Sequence, residues 1–169
     1  MKNQIKVGKL ESAKRQLETA IILYFNDKDP ISIHTLVCAA HEVIADITKK
    51  AGGNSLILEG NMIKQEYKND FRKMVRKAKN FFKHGDNDSN DTIVFNPDMN
   101  DTYLIDTCEG YQLLTGEINP YFVIYRAWFH YKYPNVLNNY TMYQKMKNRF
   151  GDNKIEFFKS MLATSAELQ

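Results

Sequence analysis

The segment Arg76-Lys77-Ala78-Lys79-Asn80-Phe81-Phe82-Lys83-His84 gathers more reactive chemistry than any other stretch of the chain. It holds a titratable imidazole, several fixed cations and an amide. On a helix at about 100° per residue, Arg76, Asn80, Lys83 and His84 share the polar half, with Lys79 at its border. Phe71, Met74, Val75, Ala78, Phe81 and Phe82 fall on the opposite, buried side. Such a set suits a phosphodiester: cations hold the phosphate, the amide orients it and the imidazole moves a proton. The bland alternative is a helix end with a cationic last turn, which the helix dipole favours by about 0.3–1 kcal/mol.

His34, Cys38 and His41 form a second cluster, spaced four and three residues apart on one helix stripe. Imidazole and thiolate are zinc ligands. At about 1.5 Å rise per residue the two histidines lie about 10 Å apart, so one ion reaches adjacent pairs more easily than all three. The favoured reading is a second packing surface with hydrogen-bonded histidines, and no metal or cofactor is expected. Asp86, Asp88 and Asn90 imitate the start of a calcium loop, but Asp91 stands where glycine belongs and Pro97 where the closing glutamate belongs. That stretch reads as an exposed turn. Between Tyr121 and Tyr133, seven of thirteen residues are aromatic, which predicts a central helix or a subunit interface. No Gly-rich phosphate loop, nucleophile elbow or His-Glu-x-x-His is present. The usual NTPase, hydrolase and zinc-protease readings therefore have no support.

The elements that must position these groups are helical. Apolar residues recurring at steps of three and four predict helices over 9–25, 30–51, 62–83 and 99–114. Asp29 and Pro30 suit the start of the second, and Asp98 can cap the fourth. Pro120 opens the aromatic helix, which ends before Pro134, and stretches at 135–149 and 153–166 finish the chain. Residues 92–95 read as a short strand without an evident partner. Residues 64–83 hold eight Lys or Arg against two acids, whereas 86–106 hold six Asp and no cation. That pattern reads as a basic helix followed by an acidic loop. At 169 residues, with 43% hydrophobic and 25% charged side chains, the chain is ordinary for one folded domain and excludes a disordered or collagenous protein. No apolar run approaches the roughly 20 residues of a membrane span, and the N-terminus lacks a signal peptide's apolar stretch. Cys38 and Cys108 make no disulfide framework, so a cytoplasmic chain without membrane contact is expected.

Lys79-Asn80-Phe81-Phe82-Lys83-His84 resembles the Arg-Asn-x-x-x-His signature of the HEPN superfamily, small all-α domains that include metal-independent endoribonucleases of toxin–antitoxin and phage-defence systems. Asn80 and His84 fill their slots, and the family arginine falls on Lys79. Lysine keeps the charge but loses the bidentate fork. Arg76 lies one turn earlier, with seven residues between it and His84. The segments Asp29-Pro30-Ile31-Ser32-Ile33-His34-Thr35-Leu36 and Asn80-Phe81-Phe82-Lys83-His84 also resemble a family of uncharacterised bacterial proteins, over about residues 10–98. The helical pattern predicts an all-α, single-domain bundle of five to seven helices over 1–169, and the resemblance adds a HEPN-like core at about 9–134, with C-terminal helices over 135–166. The resemblance implies His84 as general acid/base for attack of a ribose 2′-hydroxyl, with Asn80 orienting and Lys79, Arg76 and Lys83 neutralising phosphate charge. It also implies a homodimer, single-stranded RNA or a nucleotide as ligand, and an antitoxin protein as partner. The alternative is a non-catalytic HEPN-like nucleotide- or protein-binding module.

Overall fold

The computed structural model describes residues 4–53, 64–84, 90–134 and 140–166. Among these are seven α-helices and no strand: α1 (Lys9–Phe25), α2 (Pro30–Lys50), α3 (Lys68–Lys83), α4 (Met99–Thr115), α5 (Pro120–Lys132), α6 (Tyr140–Phe150) and α7 (Lys154–Ala166). The chain is an all-α helical bundle. Start and stop chemistry sets several of the ends. Asp29 Oδ2 accepts from the Ser32 backbone N–H at 2.8 Å and the Ser32 hydroxyl at 2.7 Å, while Pro30 supplies a first helical residue with no N–H to satisfy. Those bonds hold the Asp29 carboxyl below its usual range. Gly116, at φ +69°, closes α4 by donating to the Gln112 carbonyl at 2.8 Å.

α2 occupies the middle of the described structure, packed on α1 along one side and on α4 along another. By length and composition alone its 21 residues are apolar enough to cross a membrane. Here Ile33, Val37, Ala40 and Ile44 are core residues instead. The aromatic helix α5 takes the central position its composition predicted, with Phe122, Tyr125, Trp128 and Tyr131 buried. Its rings meet Phe25, which stacks on Phe158 at 4.4 Å and meets Trp128 edge-on at 6.0 Å.

Several expectations need correction. Lys64 precedes the third helix in extended backbone, Gln65–Tyr67 is a 3₁₀ turn, and α3 starts at Lys68; the expected start near Met62 lies outside the described residues. Residues 92–95 are irregular rather than a strand. With no strand to pair with, Phe95 turns inward and meets the rings of His34 and Phe82 at 4.9 and 5.2 Å. The six aspartates do not form one acidic loop. Asp86 and Asp88 lie outside the described residues, while Asp101 and Asp106 are buried on α4. Asp101 takes Lys132 Nζ at 2.6 Å and the hydroxyls of Tyr125 and Tyr133 at 2.9 Å each. Asp98 begins α4 without a side-chain cap and pairs with Lys132 at 3.2 Å.

Candidate functional site

α3 carries the sequence motif, and its attachment to the bundle is light. Only Val75 on this helix is buried; Met74 is 58% exposed and Phe81 38%, which corrects the expected apolar face. Phe71, Ala78 and Phe82 are half-buried. The Tyr103 hydroxyl donates to the Val75 carbonyl at 3.0 Å and fastens α3 to α4. On the other side Glu42 of α2 receives Lys79 Nζ at 2.5 Å and Lys83 Nζ at 3.5 Å. Burial pushes the Glu42 carboxyl upward, but the two ammonium groups outweigh it and leave it below its usual range.

This light contact leaves an open groove of about 870 Å³ over α2, between the first turns of α1 and the polar side of α3. A volume within about 300–1,000 Å³ is what small ligands occupy. Four cations line it, Lys9, Lys49, Arg76 and Lys79, against two acids, Glu42 and Asp46. Arg76, Lys9 and Lys49 form no ion pair with any described residue. Asn80 and His41 also line it, as does Gln16, whose Oε1 is buried without a hydrogen-bond partner. The motif is therefore divided. Arg76, Lys79 and Asn80 reach the groove. Lys83 is on Glu42 and His84 ends α3 outside the groove lining, exposed, with its backbone N–H on the Asn80 carbonyl at 3.0 Å.

The seam beneath the groove accounts for the second cluster. The Asn100 amide donates to the Pro30 carbonyl at 3.0 Å, so its oxygen faces His34 Nδ1 at 2.8 Å and that nitrogen must donate. His34 Nε2 then keeps a lone pair and takes the Cys38 thiol at 3.5 Å. Burial lowers the His34 pKa and raises that of the Cys38 thiol to about 12. Both groups are thus held neutral, and the thiol is a poor nucleophile and a poor metal ligand. Seven residues further along α2, His41 Nε2 meets Asp106 Oδ2 at 3.0 Å. The two histidines point to separate partners on α4, and no group of three metal-binding side chains occurs among the described residues. On α5, Arg126 binds Glu109 at 2.5 Å, and His130 leaves Nδ1 buried and unpartnered.

Sequence reasoning missed Glu42, Asn100, Tyr103 and Asp106. A signal existed for three of them. Asn100, Tyr103 and Asp106 recur at steps of three on α4, in the same spacing class as His34, Cys38 and His41. Two polar stripes of equal pitch suggest two helices facing each other. No protein-family model, curated protein or solved structure matches the chain.

Proposed function

We propose that the protein is a HEPN-like, RNA-directed module that takes a phosphate-bearing ligand, single-stranded RNA or a nucleotide, into the groove between α1, α2 and α3. The observation that carries this reading is Arg76. It is a guanidinium with no ion-pair partner among the described residues, lining a groove whose other unpaired cations are Lys9 and Lys49. A planar fork of donors left unneutralised beside an amide, here Asn80, suits a phosphate. Lys79, neutralised by Glu42, shapes the wall and contributes little free charge.

The resemblance adds a homodimer. Met74 and Phe81, exposed on the side of α3 turned away from the groove, leave apolar surface for a second copy. A bacterial toxin–antitoxin or defence setting follows from the same resemblance, and the two unpaired cysteines suit a cytoplasmic location. The test is equilibrium binding of labelled single-stranded RNA at a series of salt concentrations. Each phosphate neutralised contributes about −0.7 to the slope of log affinity against log salt, so two or three contacts give a slope of about −1.4 to −2.1. Binding that ignores salt, or no binding, contradicts the reading.

A further inference from the structure

Beneath the cations of the groove lies a pair of side chains arranged for proton transfer. His41 is 5% exposed and is one of the residues that line the groove. Its Nε2 sits 3.0 Å from Oδ2 of Asp106, which is 2% exposed on α4. A carboxylate oxygen accepts, so Nε2 is the donating nitrogen, and in the neutral ring Nδ1 carries the lone pair. Nδ1 has no hydrogen-bond partner among the described residues. The Tyr103 ring stands edge-on to the imidazole at 5.4 Å and fixes its plane. An imidazole held in one tautomer by a buried carboxylate, with its other nitrogen unbonded at a groove wall, is the arrangement of an oriented general base. His84 has no comparable support: its side chain is exposed and outside the groove lining.

We propose that His41, oriented by Asp106, is the proton acceptor of a phosphodiester-cleaving site in this groove, acting on single-stranded RNA. This rests on the RNA-directed reading of the groove. A substrate that brings its own nucleophile suits a wall that offers a base and unpaired cations. His41 takes the proton of a ribose 2′-hydroxyl, the 2′-oxygen forms a bond to the adjacent phosphorus, and the bond from phosphorus to the 5′-oxygen breaks. The departing 5′-oxygen takes a proton from water, and the imidazolium returns its proton to solvent. The products are a 2′,3′-cyclic phosphate and a free 5′-hydroxyl. Arg76 faces the charge that builds on the phosphorus oxygens. Asp106 is a positioning residue, since it acts through His41.

The experiment uses the full chain in EDTA with a short labelled single-stranded RNA, reading both affinity and product ends. The wild type leaves cyclic ends and does not cut a strand carrying a 2′-deoxy sugar at the cleavage position. His41→Gln lowers the cleavage rate by about 100-fold or more at unchanged RNA affinity, because a general base contributes about 10²–10⁴. Asp106→Asn lowers the rate with the affinity retained, because an amide presents the wrong hydrogen-bonding face to the ring. Cleavage that persists in folded His41→Gln, or that needs His84 while His41 is dispensable, overturns the proposal. Wild type that binds RNA and leaves it intact overturns it too, while the groove reading stands. Wild type that binds no RNA overturns both. If His41→Gln does not fold, imidazole NMR of the wild type decides the question: RNA must shift the His41 ring signals, and unmoved signals overturn the proposal.

Discussion

The α2–α4 seam and the α2–α3 contact use the same residue types, histidine, asparagine and carboxylate, to opposite ends. At the seam His34 meets Asn100 and His41 meets Asp106, all four buried. The two pairs advance in the same chain direction, so the helices run parallel and their polar stripes fix one register. At the α2–α3 contact a single carboxylate, Glu42, holds two lysines at the surface, and Arg76, Asn80 and His84 remain exposed. A polar group between two packed helices is part of the framework, because leaving it unpaired there is expensive. A polar group on the edge of a lightly docked helix is free to meet a ligand. His41 lies where the two regions meet, framed by the seam and lining the groove.

The contrast can be broken most forcefully at Asp106. Asp106→Ala leaves the His41 Nε2 proton without its acceptor in a buried setting and is expected to cost about 1.5–3 kcal/mol in urea unfolding. A loss below about 1 kcal/mol would place the seam on the same footing as the surface contact. Asn100→Ala removes the acceptor of His34 Nδ1 and the donor to the Pro30 carbonyl, and should cost about 1–3 kcal/mol by the same measurement.

The pH dependence sharpens the difference. Burial lowers the His34 pKa from 6.5, and burial with the Arg126 charge lowers that of His130. The unfolded chain therefore binds more protons near and below pH 6.5, and stability rises with pH. The contribution is fully present above the unfolded value and is lost as pH falls below it towards the folded ones. The urea midpoint should drop between pH 7.5 and pH 5.5, and a midpoint that rises on acidification contradicts buried neutral histidines. Lys79→Ala should change stability least, by about 1 kcal/mol or less, with the difference shrinking in high salt, because Glu42 is substantially exposed.

Much of the framework was legible in the sequence. Helix ends at Lys9, Phe25, Pro30 and Pro120 follow from periodicity and from Asp, Pro and Gly punctuation, which act within a few residues. Periodicity also told which side of α3 is apolar, but not how much of that side another helix would cover. Coverage depends on where α2 and α4 lie, so Met74 and Phe81 were misjudged. Residues 92–95 have strand-like side chains, but a strand needs a neighbour, and Phe95 found an aromatic pocket instead. Charge counting grouped Asp101 and Asp106 with a loop because it ignores which way a helix turns them. Arg76, Lys79 and Asn80, singled out by chemistry and spacing, line the groove. Asp106 and Glu42 were not singled out, since their significance comes from partners 65 and 37 residues away.

The most direct test of the groove as the ligand site compares two equal charge changes on α3. Arg76 lines the groove, whereas its neighbour Lys77 is exposed and absent from the lining. The affinity of single-stranded RNA for wild type, Arg76→Glu and Lys77→Glu should be measured at one salt concentration. Arg76→Glu should lose at least about tenfold and Lys77→Glu only a fraction of that, because a general field effect would be the same for both. Equal losses, or RNA binding that Arg76→Glu leaves untouched, would contradict a phosphate site in the groove.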